Sequence, residues 1–358
     1  MPSTTALIAG WARSPVAPYG GALSRLQPHE IAAPVLQALL ARAGVPASAV
    51  DAVVVGNALG AGGNPARMLA LAAGLPEACA AFSVDTQCCA GLDAVAMAVG
   101  LLASGQASVV VAGGVEAWSR APIRMHRPRH TSEPAVAYER PAFAPDPDRD
   151  PDLLVAAAHY ALAHGWTRQQ QDAYALRSHR NALQHQAALA DEIVPVAGLQ
   201  ADSHPRDMPE SRVARMPAAI KMPGLGAEGR ALLHSQPDCT LSRVAISAKA
   251  DGAALVLLAT PDACRQLRIR PQARWVASAS VGGDPRMPLV AAEQATRAVL
   301  KRAGLDAIDT VRVIELHDAF AVQGLSFCAG LGVDPARLNR RGGGLARGHP
   351  IGASAGIA

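Results

Sequence analysis

Cys88 lies in SVDTQCCAGLDAVAMA, where a strand-like run meets the start of an Ala/Gly/Leu/Val-rich helix expected at about 90–104. A thiol at a helix N-terminus feels the positive end of the backbone dipole, which favours the thiolate and makes the sulfur a nucleophile. The competing reading takes Cys88 and Cys89 as two small core residues. His349 lies in RRGGGLARGHPIGASAGIA, a glycine-rich loop whose backbone can approach a ligand closely. A histidine within bonding reach of a thiol is the usual base for an activated cysteine. The alternative is a histidine on the outside of a glycine turn. His317, in ELHDAFA, follows a strand-like run, and strand ends are where α/β active sites gather. It reads equally well as an ordinary hydrogen-bonded residue.

The remaining candidates carry less. His126 and His130 have metal-like spacing, but Pro128 breaks the helix that such spacing needs. His179 and His185 are expected on the wet side of a helix over 167–189. Arg212, Arg215 and Lys221 form a basic cluster, read either as a solvated face or as a site for phosphate groups. The six cysteines form no zinc or CxxC pattern, and no metal is expected.

The elements that must position Cys88, His317 and His349 follow from composition and periodicity. Half of the chain is hydrophobic and only 3% is aromatic, so the core must be built from Ala, Val, Leu and Gly. That excludes a disordered chain. The net charge of +4, from 33 Lys+Arg and 29 Asp+Glu, is too weak to argue for nucleic acid. No apolar run is long enough to span a bilayer, and the N-terminus lacks a signal-peptide pattern, so a cytoplasmic location is expected. Strands are expected at 6–9, 52–55, 109–112 and 252–259. A helix is expected over 29–43, with Gly44 as its C-cap. The helix after Cys88 is apolar nearly all round and is expected to be buried on every side. From about 120 to 245, Pro, Arg, His and Asp rise and indicate a more solvated insertion. RAGVPASAVDAVVV (42–55) returns as RAGLDAIDTVRV (302–313), which implies two halves of similar design about a pseudo-twofold.

Several segments in order resemble the thiolase family: GNALGAGGNPARMLALAAGLP, QCCAGLDAVA, VVVAGGVEAWSRAP, GWTRQQQDAYALRSHRNA, ELHDAFAVQ and GGGLARGHPIGAS. The resemblance runs from about residue 6 to the end. It implies an α/β fold of layered αβαβα type. An N-terminal half (1–119 plus 246–268) would carry the nucleophile, an inserted loop domain (120–245) would bind CoA, and a C-terminal half would cover 269–358. It implies reversible thiolytic cleavage of 3-ketoacyl-CoA, or Claisen condensation of acetyl-CoA, within fatty acid metabolism. By the same resemblance, Cys88 is the acyl acceptor and its backbone an oxyanion donor. His349 activates Cys88, and His317 positions a water or donor for the enolate oxygen. Ser247 contacts the pantetheine arm, with Arg212 and Arg215 toward CoA. CoA and acyl-CoA are then substrates, no resident cofactor is implied, and a homodimer or homotetramer is expected, pairing near 109–112. A ketoacyl-synthase-type condensing enzyme shares the architecture, but the Gly-His-Pro and His-Asp-Ala-Phe pair argues against it.

Three departures qualify the resemblance. Ala90 replaces the usual serine after the nucleophile, and Asp152-Leu153 stands where many members have His-Met. None of Cys239, Cys264 and Cys328 lies in the family's Cys-x-Gly-Gly-Gly context. The C-terminal half is therefore expected to be incomplete, and the chain alone poorly soluble or inactive in carbon–carbon bond exchange. The alternative function is a thiolase-like protein that binds acyl-CoA or a partner without that chemistry.

Overall fold

The computed structural model describes residues 5–60, 62–219 and 238–354. Its centre is a seven-stranded mixed sheet ordered β4-β3-β5-β8-β1-β9, with β2 paired to β8. The strands are β1 (Leu7–Arg13), β2 (Ala17–Pro18), β3 (Ala52–Gly56), β4 (Ala80–Val84), β5 (Val109–Ala117), β8 (Ala250–Ala259) and β9 (Ala273–Arg274). β6 (Arg124–His126) and β7 (Val136–Tyr138) form a separate hairpin. β3 runs parallel to both β4 and β5, whereas β8 runs antiparallel to β5 and β1.

The period-two alternation of β5 explains why the sheet takes helices on both faces. Val109, Val111 and Val115 enter one core cluster, with helix α1 (Pro28–Ala43) and helix α2 (Pro65–Ala72). Val110 and Ala112 point the other way, onto helix α3 (Ala90–Ala103). Every residue of β3 and β5 is buried. Such burial stabilises by about 1.5–3 kcal/mol per large aliphatic side chain. α1 starts with a Gln27/Glu30 capping box and ends at Gly44 in the left-handed region.

Between β5 and β8 the chain carries helices α4 (Leu153–Ala163), α5 (Arg168–Gln184) and α6 (Glu210–Ala214). α4 and α5 pack on the helix Ala321–Leu331, partly through Tyr160, whose hydroxyl lies 2.5 Å from that of Ser326, and α6 packs on α5. The repeat recurs in geometry. The helix Ala291–Arg302, Gly304 with φ +69 and the turn Ile308–Thr310 match the path from α1 through Gly44 to the turn Ala47–Ala49. The two copies then diverge. β3 joins the sheet, whereas the segment over 311–316 makes only an isolated bridge, Ile314 to Leu338, among the described residues.

Three expectations are corrected. α3 is not buried on every side, because Leu92 and Met97 face outward at 50% and 48% exposure. β5 cannot pair with another subunit, because β3 and β8 occupy both of its edges; the edge strands are β4 and β9. His179 is buried rather than on a wet face, with its ring beside that of His204, and desolvation pushes it down to about 3. His185 is half-buried and bonds through Nδ1 to the Asn181 carbonyl. Lys221 lies outside the described residues.

Candidate active site

β4 ends at Val84, and the chain then turns sharply through Gln87, whose φ of 57° is left-handed. A non-glycine residue there stores about 1–3 kcal/mol of strain. The Asp85 carboxylate, accepting from the Gln87 backbone and side-chain amides, helps hold this turn. Cys88 follows in a short turn that leads directly into α3. Asp93, one turn into α3, is held by the hydroxyls of Thr86 and Ser280.

The second half delivers the imidazoles. His349 is fixed through its backbone: its N–H donates to the Ala248 carbonyl at 2.7 Å, and its carbonyl accepts from Trp118 Nε1 at 2.9 Å. Its Nε2 lies 2.9 Å from the Cys88 Sγ. His317 Nε2 lies 2.6 Å from the other ring nitrogen of His349, Nδ1. For Nε2 to accept the thiol proton, Nδ1 must carry the His349 proton and donate it to His317. Gly344 makes room for His317, since a Cβ there would stand 2.7 Å from its ring.

Two buried carboxylates flank the loop that carries His349. Asp318 accepts from the Leu345 N–H, the Tyr174 hydroxyl and Asn339 Nδ2. Glu116 accepts from the Gly352 N–H and from Asn57, Ala58 and Leu59. Burial raises Asp318 to about 6 and Glu116 to about 7. Asp202 of the insertion, gripped by Arg13 at 2.7 Å, also pairs with Arg347, two residues before His349.

The electrostatics reverse one expectation. Cys88 is pushed up to about 12, first by burial and then by the neighbouring acidic groups, the Cys89 thiol and the Glu116 and Asp85 carboxyls. Desolvation outweighs the helix dipole, which contributes at most about 2 kcal/mol. Burial holds His349 down to about 4 and His317 well below the usual imidazole range. The resting pair is therefore a neutral thiol against a neutral imidazole. Such a pair forms a thiolate only as the proton moves to His349 during attack on an electrophile. Ala58, Leu59 and Ile351, with Trp118 and Ala121, form an apolar wall beside Cys88. That wall suits an acyl group.

The structure thus brings Cys88, His349 and His317 together. Ser247 lies close by, its hydroxyl donating to the Gly344 carbonyl at 2.6 Å. Arg212 and Arg215 stand exposed on and after α6 and bond to none of the three. His126 is exposed and stacks on Tyr138. Among the described residues no cluster of three metal-ligating side chains exists, and no helix is long and apolar enough to cross a membrane. Sequence reasoning missed Glu116, Asp318, Asn57 and Trp118. Glu116 had a visible signal: a lone carboxylate inside VVVAGGVEA, an otherwise apolar strand.

Comparison with known proteins agrees along nearly the whole chain. The model of the thiolase N-terminal domain matches residues 6–262, and that of the thiolase C-terminal domain matches 269–357. A probable acetyl-CoA acetyltransferase of Escherichia coli (strain K12) is 37% identical over 361 residues, covering 97% of this chain and 89% of that protein. An acetyl-CoA acetyltransferase of Allochromatium vinosum is 33% identical, covering 96% and 87%. The crystal structure of the Bacillus anthracis acetyl-CoA acetyltransferase superposes with a TM-score of 0.87 at 28% identity, covering 99% of this chain and 90% of that one. The Acat5 thiolase of Ascaris suum, solved in complex with coenzyme A, gives the same TM-score and identity, covering 99% and 91%. Both domains are present, so the expectation of an incomplete C-terminal half is not supported. The second half is packed around buried Ile314, Phe320, Leu338 and Leu345, and that packing carries both histidines to the thiol.

Proposed function

The chain belongs to the thiolase family and is an acyl-CoA C-acyltransferase, and on that premise we propose the roles of its residues. Cys88 accepts the acyl group. Its proton passes to His349 Nε2 as Sγ attacks the carbonyl carbon. The bond from that carbon to the leaving group, the α-carbon of acetyl-CoA or a CoA sulfur, breaks; the leaving group takes up the proton held on His349, and an acyl thioester remains on Cys88. The CoA thiol then gives its proton to His349 as its sulfur takes the acyl group, and that proton returns to the Cys88 sulfur. His317 orients His349 and presents the relay to the enolate oxygen. The Cys88 backbone N–H serves the oxyanion, where losing one donor typically costs about 2.7–4 kcal/mol. The observation that carries this reading is the 2.9 Å contact between Cys88 Sγ and His349 Nε2.

CoA and acyl-CoA are substrates in this reading, and no resident cofactor takes part. Arg212 and Arg215 are exposed cations of the insertion and are assigned to the CoA phosphates; Ser247 is assigned to the pantetheine arm. The reading extends to a cytoplasmic place in fatty acid metabolism, supported by the acyl-CoA substrates that the chemistry requires. It also includes a dimer formed along β4. β4 is an edge strand, and Phe82 on it and Leu92 and Met97 on α3, which packs against β4, are exposed, a surface that a second copy would cover.

Mass spectrometry after incubation with acetyl-CoA tests the chemistry. An acetyl group is expected on the peptide containing Cys88 and is expected to leave on addition of CoA. No adduct on Cys88 in the folded protein would defeat the proposal.

A further inference from the structure

Glu116 lies outside the segments that carry Cys88, His317 and His349, yet it stands at the seam where the chain around the thiol meets the loop of His349. Its side chain is completely buried at the end of β5. Oε1 accepts from Asn57 Nδ2 at 2.8 Å. Oε2 accepts from the N–H groups of Ala58 at 2.8 Å, Leu59 at 3.4 Å and Gly352 at 3.1 Å. Three of these donors come from the segment after β3. The fourth comes from the loop of His349, three residues further on.

The seam is backbone against backbone. A Cβ on Gly114 would lie 2.1 Å from the Gly352 carbonyl oxygen, and one on Gly352 would lie 2.6 Å from the Asn57 Cα. Gly91, in the first turn of α3 after Cys88, faces the same Gly352 oxygen. At Gly352 itself no side chain fills the contact, so besides the packing of Ile351 against Ala58 and Leu59 the polar bonds across the gap set the position of the loop. Glu116 gathers them onto one carboxylate. Ala58 and Leu59, which it also holds, form part of the apolar wall beside Cys88.

We propose that Glu116 is a positioning residue for acyl transfer: it sets the distance between the Cys88 sulfur and the His349 imidazole and holds the wall against which the acyl group rests. The proposal rests on the assignment of Cys88 and His349 above. A misplacement of about 1 Å in such a pair costs on the order of 100-fold in rate.

The test compares wild type, E116Q and E116A by steady-state acyl transfer and by iodoacetamide labelling of Cys88, with exposed Cys89 as internal reference. E116Q keeps one acceptor oxygen for the three backbone donors but loses the Asn57 bond. It should lower kcat about tenfold with KM for CoA unchanged, and slow Cys88 labelling in parallel while Cys89 labelling holds. E116A should lower both by about 100-fold. If E116A does not fold, E116Q decides alone. Wild-type kcat and Cys88 labelling in folded E116Q would overturn the proposal, as would equal changes at Cys88 and Cys89. Labelling needs no thioester. A wild type that never acylates Cys88 would defeat the functional reading and leave the labelling comparison readable.

Discussion

The Sγ of Cys88 lies 2.9 Å from Nε2 of His349, although 261 positions separate the two residues. Both groups are held in their neutral forms by burial, the thiol at about 12 and the imidazole at about 4. The pair therefore waits as thiol and base, and the attack itself must separate the charges.

His349→Ala should slow iodoacetamide labelling of Cys88 at neutral pH by about 100-fold or more, the usual range for loss of a general base. Exposed Cys89 should be unaffected. In wild type, labelling of Cys88 should persist as pH falls through 6.5 and fade only toward about 4, where His349 gains its proton. A decline centred near 6.5 would contradict a desolvated imidazole.

His317→Ala removes the partner 2.6 Å from His349 Nδ1. The ring of His349 is then free to rotate, and kcat should fall by about ten- to a hundredfold with little change in KM for CoA. His317→Asn, which keeps a polar group at the position, should retain more activity than His317→Ala.

Glu116 gives a signed dependence of stability on pH. Its folded value, raised from 4.5 to about 7, means that the folded state binds the proton more tightly than the unfolded chain. The resulting stabilisation is full below about 4.5 and is lost as pH rises to about 7, on the order of 3 kcal/mol in all. E116Q has no proton to lose. Chemical denaturation from pH 4.5 to 8 should therefore show the stability difference moving in favour of E116Q as pH rises. A constant difference would show that Glu116 titrates normally.

Arg212→Ala and Arg215→Ala should each raise KM for CoA by about two- to fivefold at low salt, the worth of an exposed ion pair, with kcat unchanged. The effect should shrink at high salt. A kcat effect from either would move them out of the phosphate role.

Phe82→Glu places a charge on the open edge of β4, where Phe82 is 42% exposed. Size-exclusion chromatography with light scattering should show a wild-type dimer and a mutant shifted toward monomer. An unchanged dimer would place the interface elsewhere.

Much of the molecule was legible from residue order. The period-two alternation of β5, the helical face of α1 and the glycine that ends it are local matters, decided by backbone sterics and by which side chains avoid water. Cys88, His317 and His349 stood out as candidates in local patterns, each with an ordinary structural reading beside it, and their roles came from the family resemblance. What lay beyond reach depended on residues distant in the chain. Desolvation of Cys88 comes from everything packed around it, so the local dipole argument pointed the wrong way. Glu116 gained its role only when Asn57 and Gly352 met across the seam. The exposed side of α3 and the open edge of β4 depend on which strands become neighbours, and hydrophobicity alone cannot order them. Composition and spacing settle which groups are present; only the folded arrangement settles their ionisation, their partners and their distances, because each of these is a sum over contacts that the linear chain does not contain.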